Sequence, residues 1–162
     1  MVNVQSYEKR QTRIASSTGG IEMHSQSTHG FPQYKILVVN TDRYGFRAIH
    51  DALAGNGFTV CSTASLAAAA QSIRDSPPNA ILINFQAYDL AELNAYCALT
   101  RVRPELPLIV VGPKIDGRDK ARMLEAGIAD YIEFPFDLDE LVARIRSSIR
   151  ASRQKSTTST IS

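Results

Sequence analysis

No apolar run in the 162 residues approaches the length of a membrane span, and the first residues lack the apolar segment that a secretory signal requires. The expectation is a soluble, cytoplasmic protein with no membrane partner. Cysteine is scarce: Cys61 and Cys97 both fall in predicted regular structure without a ligand-like neighbour. They read as buried reduced thiols, which excludes a disulfide framework and a thiolate metal site. Histidine is equally sparse. His24 and His29 lie in a polar arm and His50 sits between apolar positions of a predicted helix, so no metal centre and no cofactor are expected. The basic stretch Lys114, Arg118, Lys120 and Arg122 is interleaved with Asp116 and Asp119, and no second domain offers a reader of bases, so no direct nucleic-acid partner is expected.

What is present is one domain of ordinary composition, 44% hydrophobic with a net charge of +2, and two polar ends. Residues 1–33 show no sustained apolar period and are crowded with Ser, Thr, Gln and Gly, which predicts a disordered arm. Residues 151–162 are again rich in Ser and Thr and predict a flexible tail, leaving residues 34–150 as the folded domain.

Within that domain, short apolar strands alternate five times with amphipathic helices. The strands are Tyr34 to Asn40, Phe58 to Ser62, Asn79 to Asn84, Leu108 to Val111 and Asp130 to Glu133. The helices carry Phe46, Ile49 and Leu53; Leu66 to Ile73; Leu90, Leu93 and Cys97; Arg118 to Ala126; and Leu138, Leu141, Val142, Ile145 and Ile149. Gly55 to Gly57, Ser76 to Pro78, Arg103 to Pro107 and Gly127 punctuate them. Short connections of this kind demand right-handed crossovers, hence a three-layer, doubly wound α/β fold with a parallel sheet covered on both faces. In such a sheet the carboxyl ends of the strands form the crevice where chemistry sits, so Asn84 should point into it.

The run Glu125 to Ile132, then Phe134-Pro135-Phe136-Asp137 and Glu140 to Arg146, resembles the bacterial response-regulator receiver domain, most closely receivers of the OmpR/PhoB type. The resemblance covers residues 34–150 and implies the CheY-like, flavodoxin-like (βα)5 fold of two-component signal transduction and phosphorelays. It also implies a phosphorylation site, and there this sequence departs from the pattern. Where the family ends its third strand in the aspartate that attacks phosphorus, this chain has Asn84, a neutral amide. The acidic pair that helps hold Mg²⁺ is Asn40 and Thr41. The hydroxyl residue after the fourth strand is Gly112, and the lysine before the proline is Phe134. The switch aromatic alone is kept, as Tyr131.

The resemblance therefore points to a degenerate pseudo-receiver: a non-enzymatic, phosphorylation-independent interaction module with a signalling protein as partner. Two alternatives stay open. Asp42, two residues beyond the first strand, or Asp89, in the loop after the third, could accept phosphate, although both also suit helix capping; or the altered crevice could take a small ligand. The family's two-fold dimer face, formed by the fourth helix, fifth strand and fifth helix, keeps matching charges in Lys120 with Glu140 and in Asp130 with Arg144. A homodimer through that face is expected, each pair occurring twice.

Overall fold

Runs such as Lys35-Ile36-Leu37-Val38-Val39 and Ala80-Ile81-Leu82-Ile83 have branched side chains on both faces, which suits a strand buried on both sides. A computed structural model describes residues 33–40, 46–85 and 89–158, with only the backbone of Asn40. Residues 1–32 of the predicted arm, with His24 and His29, and also Thr41 and Asp42, lie outside the described residues.

Five strands form one parallel sheet: β1 (Lys35–Asn40), β2 (Thr59–Thr63), β3 (Ala80–Asn84), β4 (Leu108–Gly112) and β5 (Asp130–Glu133). Their order is β2-β1-β3-β4-β5. The helices are α1 (Phe46–Gly55), α2 (Leu66–Asp75), α3 (Leu90–Val102), α4 (Gly117–Glu125) and α5 (Leu138–Thr158).

Alternation along the strands makes two cores. Leu37, Val39, Ile81, Ile83, Leu108 and Val110 meet α2, α3 and α4 through Ala69, Ile73, Leu93 and Met123. Ile36, Val38, Leu82, Ile109 and Val111 meet α1 and α5 through Ile49, Leu53, Leu141, Ile145 and Ile149. Each fully buried aliphatic side chain contributes roughly 1.5–3 kcal/mol.

Local chemistry sets the helix ends. Ser65 Oγ accepts from Ala68 N at 3.2 Å and Asp116 Oδ1 from Asp119 N at 2.8 Å, capping α2 and α4. Gly57 (φ 84°) and Gly127 (φ 107°) provide the left-handed turns after α1 and α4.

Two expectations are corrected. The flexible tail predicted from residue 151 is helical through Thr158, because its composition hid local and tertiary partners. The hydroxyls of Thr157 and Thr158 donate to carbonyls four residues back, at 3.1 and 3.0 Å. Ser152 Oγ donates to the Glu105 carbonyl, and Arg153 Nη1 reaches Tyr34 Oη at 3.4 Å. Cys97 is buried, and burial pushes its thiol pKa up, whereas Cys61 is only half-buried because it lies on an edge strand.

Candidate functional site

From β1 the chain passes to β2 on one side of the sheet and, after α2, to β3 on the other. The crevice of a doubly wound sheet opens at such a reversal, here at the carboxyl ends of β1 and β3. Asn40 and Asn84 close these two strands side by side in register, with Val111 of β4 on the other flank of Asn84.

Asn84 is 3% exposed, the one buried polar residue among those described. Its Oδ1 meets no hydrogen-bond donor among the described residues. A buried carbonyl oxygen left unpaired costs about 1–3 kcal/mol. An ionised carboxylate at this depth without a partner would cost far more. Its neutral amide is also without useful nucleophilicity toward phosphorus.

The carboxyl end of β4 is shaped by a missing side chain. A Cβ on Gly112 would lie 2.6 Å from Tyr131 Oη and 3.4 Å from Phe85 Cβ. Gly112 is thus a notch that seats the Tyr131 ring edge. The ring is 6% exposed, and its hydroxyl donates to the Pro113 carbonyl at 2.6 Å. Phe85 closes the same pocket from β3, edge-on to Tyr96 with ring centroids 5.7 Å apart. Where the resemblance led to a hydroxyl residue there is therefore an aromatic lock. Burial first, then the Glu92 carboxylate, raises the Tyr96 pKa to about 12.

Phe134 is half-buried against the α1/α5 core, its ring 5.0 Å from Phe136, and its N–H donates to Gly112 O at 2.8 Å. The Phe134–Pro135 peptide is cis. This position holds an apolar ring and brings no cation to the crevice.

Asp89 is the N-cap of α3: its Oδ1 accepts from Ala91 N at 2.8 Å and Glu92 N at 3.3 Å. Its carboxylate is engaged by its own helix. Among the described residues no three His, Cys, Asp or Glu side chains converge to hold a metal. The amide of Asn84 is a poor match for Mg²⁺, a hard ion that takes charged oxygens, so the residues described at the crevice do not fit it.

Of the charges assigned to the dimer face, Asp130 and Arg144 pair as matched but within one chain, whereas Lys120 and Glu140 take other partners. Arg144 donates to Asp130 Oδ2 at 2.9 Å and to Glu140 Oε1 at 2.8 Å, two bonds that hold its pKa up. Lys120 meets Glu133 at 2.8 Å, not Glu140. Strand alternation explains the change: Tyr131 and Glu133 face α4, which carries Lys120, while Asp130 and Ile132 face α5. The hydrogen bond from Lys120, helped by its charge and by the Ile115 N–H, lowers the Glu133 pKa. Glu133 and the Pro113 carbonyl are the partners that sequence reasoning missed. The two-residue period of β5 was a signal for Glu133; nothing in the sequence marked Pro113 O.

A five-stranded parallel sheet in this order, with a polar rim at β1 and β3 and a buried aromatic on β5, defines a CheY-like α/β domain. The model of the response regulator receiver domain family matches residues 36–146, and the chain belongs to that family. It is 29% identical over 115 residues to the transcriptional regulatory protein KdpE of Mycobacterium tuberculosis, covering 71% of this chain and 50% of that protein. It is 29% identical over 130 residues to PrrA of Mycobacterium bovis, covering 80% of this chain and 56% of that protein. The chain thus spans about half the length of the curated relatives it matches. Among solved structures, a CheY-like receiver domain protein from Methanospirillum hungatei superposes with a TM-score of 0.66 at 19% identity, covering 76% of this chain and 99% of that one. A response regulator from Thermotoga maritima superposes with a TM-score of 0.65 at 26% identity, covering 74% and 99%. Among the described residues no helix is long and apolar enough to cross a membrane.

Proposed function

We propose that this receiver domain is a pseudo-receiver, a non-enzymatic module of two-component signalling that works without phosphorylation and through protein contacts. The observation that carries the reading is Asn84: a buried neutral amide stands where a phosphoacceptor must be an accessible carboxylate. The Gly112 notch supports it, since the packing that holds Tyr131 inward is supplied by the chain itself, with no modification needed. Asp89 is the weaker alternative as phosphoacceptor because two backbone N–H groups of α3 already hold its carboxylate.

In this reading the contact face is α4, β5 and α5, used twice in a homodimer, with a second signalling protein as partner. Arg144 and Lys120 already have partners within the chain, so exchanging them across an interface gains little. The apolar contribution comes from Leu124, 49% exposed and one helical turn from Lys120 on α4.

The test treats the full chain with acetyl phosphate, then with Mg²⁺ and beryllofluoride, and follows intact mass and sedimentation at several concentrations. The expected result is no phosphoryl mass increase and a dimer whose strength is unchanged by either reagent and lost in Leu124→Asp. A dimer that appears only with the mimic overturns the reading.

One observation favours a second reading. The Asn84 Oδ1, without a donor among the described residues, suits a small ligand that donates a hydrogen bond into the crevice. Thermal-shift screening of amines and polyols against wild type and Asn84→Leu tests it: stabilisation confined to wild type supports the ligand reading.

A further inference from the structure

β2 is the edge of the sheet, paired only with β1 among the described residues. Thr59 N donates to Tyr34 O at 2.9 Å, which turns the backbone groups of Thr59, Cys61 and Thr63 toward β1. By the parallel ladder pattern the N–H and C=O of Val60 and Ser62 face outward, a row of four groups without a partner among the described residues. Sheet edges are ordinarily blunted by charges, proline or a bulge. Thr59-Val60-Cys61-Ser62-Thr63 has no charge and no proline, and its register with β1 runs without interruption.

Beside this edge lies a cleft of about 370 Å³ between the sheet and α2, lined by the apolar Leu37, Cys61, Ala68 and Pro78 and by the polar Lys35, Gln71, Ser72, Asp75 and Ser76. The two charges are already engaged. Lys35 Nζ donates to Ser76 O at 2.9 Å and Ser76 Oγ at 2.6 Å, and Gln71 Nε2 donates to both Asp75 oxygens at 2.8 Å. Apart from the Ser72 hydroxyl, what remains open is mainly apolar. Cys61 packs on this face, so the residue of any strand added opposite Cys61 turns its side chain toward the cleft.

We propose that the β2 edge is a docking site for an extended peptide of a partner protein, which adds a sixth strand and places an uncharged aliphatic side chain in the cleft under α2. Backbone pairing supplies affinity and the cleft supplies selectivity, as in other strand additions. A second copy of this chain fits less well: its own β2 would offer Thr59, Cys61 and Thr63, too small to fill the space. The surface lies at the opposite edge of the sheet from β5, so it is independent of the contact face proposed above.

A phage-displayed heptapeptide library panned on the full chain tests this, with enriched sequences resynthesised as free peptides. Enrichment of peptides with a central Val, Ile or Leu is expected, together with slowed hydrogen exchange at the Val60 and Ser62 amides of the wild-type chain on binding. Ser62→Pro removes an outward N–H without breaking a ladder bond, and Ala68→Leu narrows the cleft from the exposed side of α2. Each should weaken binding at least tenfold while leaving the circular dichroism spectrum and melting temperature near wild type. Should a variant misfold, the wild-type exchange pattern decides alone. The proposal is overturned by a library without enrichment, by a folded variant of either kind that binds as wild type, or by binding that leaves the Val60 and Ser62 amides unchanged. It is equally overturned if those amides are already protected in the free chain, or if the chain dimerises through β2 in a manner that Ser62→Pro abolishes.

Discussion

The two edges of the sheet are finished in opposite ways. At β5 the rim is tied down on both faces: Glu133 to Lys120 of α4, Asp130 to Arg144 of α5, and Tyr131 into the Gly112 notch with its hydroxyl on Pro113 O. At β2 the strand is uncharged, half-exposed and flanked by an open cleft. The fold needs only the three central strands buried on both faces. What distinguishes its edges is left to a few side chains, and here those of one edge strand are tied to the flanking helices while the other edge strand carries no charge and borders an open cleft.

The sharpest way to break this contrast is to fill the notch. Gly112→Thr pushes a side chain into Tyr131 Oη, so overpacking and the lost hydrogen bond together should destabilise by about 2–4 kcal/mol, read as a lower midpoint in urea unfolding. Tyr131→Phe keeps the ring and removes only the bond to Pro113 O, with an expected loss of about 1 kcal/mol in the same assay. If both substitutions were silent, β5 would be no more tied down than β2. Arg144→Ala removes two half-exposed ion pairs and should cost about 0.2–1 kcal/mol, less at high salt. At the opposite edge Ser62→Lys adds the charge that natural edges carry and should change stability by less than about 0.5 kcal/mol.

Proton titration sharpens the same comparison. Because Glu133 has a lowered pKa in the folded chain, its stabilising effect is present above the ordinary glutamate value of about 4.3 and is lost as pH falls through the lowered value. Carbon-detected NMR of the side-chain carboxyl should show that midpoint, and Lys120→Met should move it up toward the ordinary value. Tyr96 has the opposite sign. Its pKa is raised to about 12, so the stability it carries is complete below about pH 10 and is lost between there and pH 12, detectable as a delayed tyrosinate absorbance.

The strands and the helix starts were legible because each rests on local chemistry. Branched apolar runs mark buried strands, Gly57 and Gly127 mark turns, and Asp89 sits where a cap belongs. The end of α5 was not legible. Ser152, Thr157 and Thr158 read as tail composition, and what orders them is a carbonyl of Glu105 and the helix's own backbone. At the site, the loss of acidic and basic groups was plain from Asn84 and Phe134, but the use made of that loss was not. Gly112 reads in the sequence as an absence and in the fold as a seat for Tyr131.

The order of residues by itself determined the alternation of strand and helix, the layered parallel sheet and the neutral amides that end β1 and β3, because period, capping and side-chain charge are properties of neighbours along the chain. Only the tertiary structure decided which charges meet, how deeply Asn84 is buried, that Gly112 receives Tyr131 and that a cleft opens beside β2. Those depend on distances between residues far apart in sequence, which are set by how the two cores pack against the sheet.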